Sequence, residues 1–176
     1  MRIRELAALL VLTAPVVALA GTKYLRATLD EKEHLQLELE GGAVVPAPMD
    51  PQPLEHSGKQ VGFGQPQIAP DRETVGWAAY YSNCCTSYPI PLQIVIFRNG
   101  AIIQRIRGSG LPIWSWSFTR GSKQIALAQR PTHGPAPDHY ELRDVATGEL
   151  KQEYDQEEGD STEQMPQWAR DLHWNQ

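Results

Sequence analysis

The sequence predicts an all-β protein built from repeated antiparallel sheets, and three observations lead there. Apolar and β-branched runs recur from Gln67 onward as "TVGWAAYY", "LQIVIF", "AIIQRI", "IWSWSF", "KQIALAQ" and "HYELRDV", each of strand length. Turn-forming clusters, "PDRE", "RNG", "RGSGLP", "TRGS" and "ATGE", separate them. The segments also repeat. Ile68-Ala69-Pro70-Asp71 with Thr74-Val75-Gly76-Trp77 falls 50 positions before Phe118-Thr119-Arg120-Gly121 with Gln124-Ile125-Ala126-Leu127. Ile94-Val95-Ile96 with Gly100 falls 46 to 48 positions before Tyr140-Glu141-Leu142 with Gly148. A period in the forties, at three or four strands per unit, is that of propeller blades. The expected fold is two propeller-like antiparallel β-sheet repeats, as an incomplete propeller or as packed sheets, after a cleavable N-terminal signal helix.

Residues 1–20, "MRIRELAALLVLTAPVVALA", place Arg2 and Arg4 before an apolar run and end in Ala18-Leu19-Ala20, the order of a secretory signal with a small-x-small cleavage site. The run is shorter than the roughly 20 residues a permanent bilayer span needs, and Pro15 interrupts it. Thr22 stands where a lipoprotein signal would carry its cysteine. The expected product is therefore secreted or periplasmic, with no stable membrane span after cleavage.

Residues 21–40 form an N-terminal strand or helix segment, in which Leu35, Leu37 and Leu39 alternate with polar residues as in a half-buried strand. Such a strand could cover a sheet edge. Residues 41–65 carry prolines at 46, 48, 51 and 53, which fix φ and remove backbone donors, so a linker or surface strap is expected. The first repeat is placed at 66–110, with Asn99-Gly100 as its tight hairpin turn. The second is placed at 111–155. The acidic tail at 156–176 contains Met165-Pro166-Gln167-Trp168, similar to Leu111-Pro112-Ile113-Trp114 and a candidate start of a third repeat. Core candidates are Trp77, Ile94, Ile96, Trp114, Trp116, Ile125, Leu127 and Leu142. Period-two alternation would put Trp114 and Trp116 on one strand face, as core or as a ligand-stacking platform.

Within the second repeat, "HYELRDVATGEL" resembles the WD-repeat and related periplasmic β-propeller pattern through Leu142, Asp144, Thr147 and Gly148, with Arg143 where the family's Trp usually stands. The upstream "SFTRGSKQIALA" is similar to the family's turn and strand, and "IAPDRETVGWAA" keeps Pro70 and Asp71. The resemblance covers roughly residues 66–155 and implies two divergent blades. Physical chemistry gives Asp144, Thr147 and Gly148 a structural turn role, through side-chain bonds to nearby amides and a left-handed glycine. Closed propellers use at least about four blades, so either the sheets pack on each other or several copies assemble into one ring.

The formal charge is -5, and -6 without residues 1–20, which gives no electrostatic footprint for nucleic acid. Cys84 and Cys85 are the only cysteines. Neighbouring Cα atoms lie about 3.8 Å apart, below the usual disulfide minimum of about 4.4 Å, so a bridge between them would be a strained vicinal ring in a loop. That ring is the expected state; a redox or ligand-contacting thiol pair, or unlinked thiols, are the alternatives. His133, Asp138 and His139 could ligate a metal if "THGPAPDHY" folded back, although a polar hairpin loop explains them. Six carboxylates between 153 and 163 lack the order of a calcium loop. No Gly-x-Ser-x-Gly or phosphate-cradling glycine loop occurs. No catalytic residue, metal or cofactor is expected, and the function expected is a non-catalytic binding or assembly module. A protein partner or a homo-oligomer fits it, with a thiol-based redox or metal protein and a multi-chain propeller subunit as alternatives.

Overall fold

The computed structural model describes residues 21–84, 86–134, 137–157 and 159–172. Among the described residues the chain is all-β, and its strands form three antiparallel sheets. The first holds β1 (Tyr24–Leu29), β2 (Leu35–Leu39) and β3 (Val44–Pro46) in the order β1-β2-β3. The second holds β4 (Gln60–Ile68), β5 (Thr74–Tyr81), β6 (Ile90–Arg98) and β7 (Ala101–Arg107) in simple sequence order. The third, β8 (Ile113–Thr119), β9 (Gln124–Gln129), β10 (Asp138–Asp144) and β11 (Leu150–Gln156), repeats that four-stranded meander.

The N-terminal segment is a sheet in its own right and not an edge cover. Leu35, Leu37 and Leu39 turn one face of it onto the second sheet, while Arg26, Glu38 and Val44 share a row on the other. The proline-rich segment contributes β3, whose Pro46 is tolerated because β3 is an edge strand. The first repeat starts at Gln60, ahead of the position 66 expected from the pattern. Register breaks between Gln60 and Gly62 and between Gly64 and Gln67 accommodate Pro66 inside β4. Those glycines and that proline hid the strand from a reading based on apolar runs.

Among the first strands of the sheets, β4 lies near both β1 and β8, as the inner strands of successive blades do. Gln65 and Gln67 of β4 donate from Nε2 to the carbonyls of Trp114 (2.7 Å) and Trp116 (2.5 Å) in β8. Carbonyls on an edge strand, which would otherwise need water, are satisfied across the sheet boundary.

Three apolar layers hold the stack. Between the first two sheets, Tyr24 and the β2 leucines meet Phe63, Trp77 and Phe97, and the Trp77 ring lies 5.9 Å from both Phe63 and Phe97. Between the second and third, Ile94, Ile96 and Ile106 meet Ile113, Trp116, Ile125 and Leu127. The outer face of the third sheet presents Ala126, Ala128, Tyr140 and Leu142 to Met165, Ala169 and Leu172. Those three come from a 3-10 turn (Thr162–Gln164), the helix α1 (Gln167–Arg170) and their flanks. The segment expected to begin a third repeat is this cap: Met165 and Ala169 are buried against the sheet instead of pairing with it.

Turn residues sit where their chemistry requires. Asn99 and Gly100 both have positive φ, 52° and 80°, between paired Arg98 and Ala101, which fits the right-handed strand twist of a two-residue hairpin. Asp144 Oδ1 accepts from the amides of Ala146 (3.0 Å) and Thr147 (2.9 Å) and from Thr147 Oγ1 (3.1 Å). Gly148, at φ 73°, closes the turn by donating to the Asp144 carbonyl at 2.8 Å.

Trp116 rests directly on Gly76 of β5: a Cβ placed there would lie 2.6 Å from Trp116 Cη2. Gly76→Ala is therefore expected to overpack the boundary between the repeats and to lower stability by about 1–3 kcal/mol. Urea unfolding checks this. The midpoint should fall with an unchanged m-value, and an unchanged midpoint would mean that Trp116 is not seated there.

Candidate binding cleft

The β5–β6 loop (82–89) and the β9–β10 loop (130–137) each follow the second strand of a four-stranded meander, so they are equivalent loops of the two repeats. Their described residues line, at one end of adjacent sheets, a cleft of about 390 Å³ formed by Tyr88, Trp114, Arg130, Thr132, His133, Gly134 and Asp138, among others. Tyr88 is 48% exposed.

Trp114 reaches this cleft through a β-bulge. Ile113 pairs with Gln129 and Ser115 with Ala128, so Trp114 has no opposite number in β9. The expectation that Trp114 and Trp116 share a face is corrected here, because the extra residue breaks the alternation. Trp116 is 2% exposed in the core, whereas Trp114 is half-buried, belongs to none of the three apolar layers and lines the cleft. Its indole Nε1 donates to the Arg130 carbonyl at 3.0 Å, which ties the ring to the opposing loop. Trp77, Ile94, Ile96, Ile125, Leu127 and Leu142 are all buried.

The β5–β6 loop is shaped by a polar clasp. Asn83 Oδ1 accepts from the Thr86 amide at 2.8 Å, Asn83 Nδ2 donates to the Tyr88 carbonyl at 3.1 Å, and Thr86 Oγ1 donates to that carbonyl at 2.5 Å. These bonds present Tyr88 at the rim. Cys84 is exposed in the same loop; Cys85, and with it the expected vicinal bridge, lies outside the described residues.

His133, Asp138 and His139 do not converge. His133 and Asp138 line the cleft, while His139 bonds through Nδ1 to Asp155 Oδ1 (2.6 Å) and through Nε2 to Glu141 Oε1 (3.2 Å). Glu141 is 1% exposed, and its Oε2 accepts from Arg143 Nε at 2.6 Å. Burial pulls the His139 pKa down, but the bonds and charges of Asp155 and Glu141 outweigh it and raise the pKa above the ordinary histidine value. Burial pushes Glu141 up, and Arg143, with Gln129 and His139, outweighs it, leaving Glu141 below its ordinary value. The result is an imidazole clamped between two carboxylates, a structural link from β10 to β11. Among the described residues, no group of three or more His, Cys, Asp or Glu is placed to hold a metal ion.

A second buried polar group ties the proline-rich strap to the second sheet. Asp50 accepts from Arg105 Nε (2.7 Å) and Nη2 (2.8 Å) and from Gln93 Nε2 (2.9 Å), and its own amide donates to Gln60 Oε1 at 2.8 Å. Burial raises the Asp50 pKa, but Arg105, the Gln52 amide and Gln93 together outweigh it and hold the carboxyl below its ordinary value. Beside it the Tyr81 hydroxyl is pushed up to about 12, by burial first and by the Asp50 charge second. The sequence carried a faint sign of this network in Gln93 and Arg105, polar residues inside apolar strand runs.

No model of a known protein family matches the chain, and no curated protein matches it.

The pKa directions predict a stability profile with two limbs. Asp50 and Glu141, being lowered, contribute fully above about pH 4.5 and lose that contribution as pH falls further. His139, being raised, contributes fully below about pH 6.5 and loses it as pH rises through its folded value. Urea unfolding across pH should show the alkaline decline in the native chain and its disappearance in His139→Gln. A decline that persists in the variant would assign it to another group.

Proposed function

We propose that this chain is an exported, secreted or periplasmic, non-catalytic binding module whose ligand contact is the cleft between the β5–β6 and β9–β10 loops. The observation that carries the reading is the bulge in β8, which takes Trp114 out of the strand alternation and sets it beside Tyr88 at the cleft. Bulges commonly re-aim one side chain at a functional position, and a largely pre-formed cleft with a few convergent polar groups is the usual form of a small-ligand site. The loops that frame it hang from the repeated scaffold, so a rigid frame positions variable chemistry.

The polar chemistry elsewhere favours binding over catalysis. His139 is held by carboxylates on both ring nitrogens, Asp155 on Nδ1 and Glu141 on Nε2, which commits both of its exchangeable positions to structure. The resemblance to propeller repeats rests on turn residues whose work is structural, and function hosted on such scaffolds varies widely. Assembly of several copies into one ring finds less support, because α1 and its flanks cover the face that the third sheet would turn to a next blade, and the first sheet's outer row pairs Arg26 with Glu38 at 3.7 Å.

Two measurements test this. In amide and indole NMR spectra, a mixture of small polar and aromatic compounds should shift the Trp114 indole, Tyr88 and Gly134 resonances first. Shifts clustering elsewhere, or none, would remove the cleft as the site. For export, the full chain expressed in a bacterium should be recovered from the periplasm beginning at Gly21. Retention in the cytoplasm at full length would overturn that part.

A further inference from the structure

Resting on that reading of the cleft, we infer that its ligand is a neutral, polyhydroxylated molecule, a short saccharide. The balance of the lining is the first ground. Two aromatic side chains, Tyr88 and Trp114, accompany Thr132, His133, Arg130 and Asp138, so the cleft offers ring faces together with donors and acceptors, not the enclosed apolar box that suits a greasy ligand. Its volume of about 390 Å³ lies near the small end of ordinary ligand pockets, roughly 300–1,000 Å³, which suits one or two sugar rings and excludes a folded domain.

Charge is the second ground. The lining carries one guanidinium, Arg130, and one carboxylate, Asp138, so no single sign dominates the cleft and neither an anion nor a cation is selected by its field. The chain as a whole is acidic, at a formal charge of -5, which disfavours phosphate-rich ligands in general. What a mixed lining does select is a ligand with many hydroxyls, each able to donate and accept.

The state of Trp114 is the third ground. Its indole N–H, the ring's only polar donor, is already committed to the Arg130 carbonyl at 3.0 Å. The ring can therefore serve a ligand only through its π face. A π face carries negative potential and attracts the weakly positive C–H groups that a pyranose presents from one side, while the sugar's equatorial hydroxyls point outward to polar neighbours. Thr132 and His133 lie around the cleft for that second task. The hydrogen bond also holds the indole in one orientation before ligand arrives, which reduces the ordering cost of binding.

The test is an NMR titration of the chain with cellotetraose, maltotetraose and chitotetraose, with inorganic phosphate and benzoate as comparison probes. At least one tetrasaccharide should move the Trp114 indole, Tyr88 and Gly134 resonances in a saturable way. Trp114→Ala should weaken that binding by tenfold or more, Trp114→Phe by less, and Tyr88→Ala by an intermediate amount. Circular dichroism of each variant checks that the fold is intact, and Tyr88→Ala, altering an exposed loop side chain, keeps the test open should Trp114→Ala misfold. If phosphate or benzoate shifts these resonances and none of the saccharides does, the saccharide assignment is overturned while the cleft remains a binding site. Should no probe of any class act there, both fall. Saccharide binding that survives Trp114→Ala unchanged would also overturn the assignment.

Discussion

The single unpaired residue in β8, Trp114, sets the geometry of both the core and the cleft. Because Trp114 has no partner in β9, the alternation of "IWSWSF" is interrupted, and the two tryptophans go to different tasks. Trp116 enters the layer between the repeats and sits over Gly76, where even a methyl group would collide. Trp114 stays at the edge, bonded to the Arg130 carbonyl. Without the extra residue, one register would have to serve both side chains. Placing both indoles inside would overfill a layer already packed with isoleucines; placing both outside would leave a void above Gly76.

The rest of the stack follows from burying each sheet face in turn. The first sheet covers one face of the second, the third covers the other, and α1 with its flanks covers the last apolar face. A blade at the end of a series exposes a face that its neighbour would have covered, and capping is the usual solution in repeat architectures. Here the short helix α1 and its flanks supply Met165, Ala169 and Leu172, which fit over a face where Ala126 and Ala128 leave room beside Tyr140 and Leu142. The opposite end is finished differently, with the ion pair of Arg26 and Glu38 on the outer face of the first sheet.

Much of this was legible in the sequence wherever one residue type answers one local demand. Asn99-Gly100 announced a hairpin because both positions need positive φ, and Asp144, Thr147 and Gly148 announced a turn because their side chains and backbone satisfy each other. The two meanders showed as a repeat because Thr74 to Trp77 is matched by Gln124 to Leu127, and Ile94 to Ile96 by Tyr140 to Leu142, at nearly constant offsets. What escaped depended on long-range partners. β3 and the start of β4 are rich in proline and glycine and pair only because an adjacent strand offers its edge. The segment around Met165 looks like Leu111 to Trp114 by composition, yet its fate is decided by the uncovered face of a sheet distant in sequence. In the site, Tyr88 and Trp114 are far apart along the chain, and only the stacking of the two meanders brings a loop of one to the first strand of the other; the bulge that exposes Trp114 leaves no mark in an alternating run. Asp50, Arg105 and Gln93 likewise form a network whose members each look ordinary alone.

The different placement of the two tryptophans can be read most directly from proton NOEs. If Trp114 is the bulged residue, the Trp116 indole should show cross-peaks to the Gly76 α-protons and to Ile96. The Trp114 indole N–H should exchange slowly, held by the Arg130 carbonyl, and show none to Ile125 or Leu127. Cross-peaks from both indoles to the isoleucine layer would contradict this, because they would mean that β8 runs in regular register and that the cleft has lost its aromatic wall.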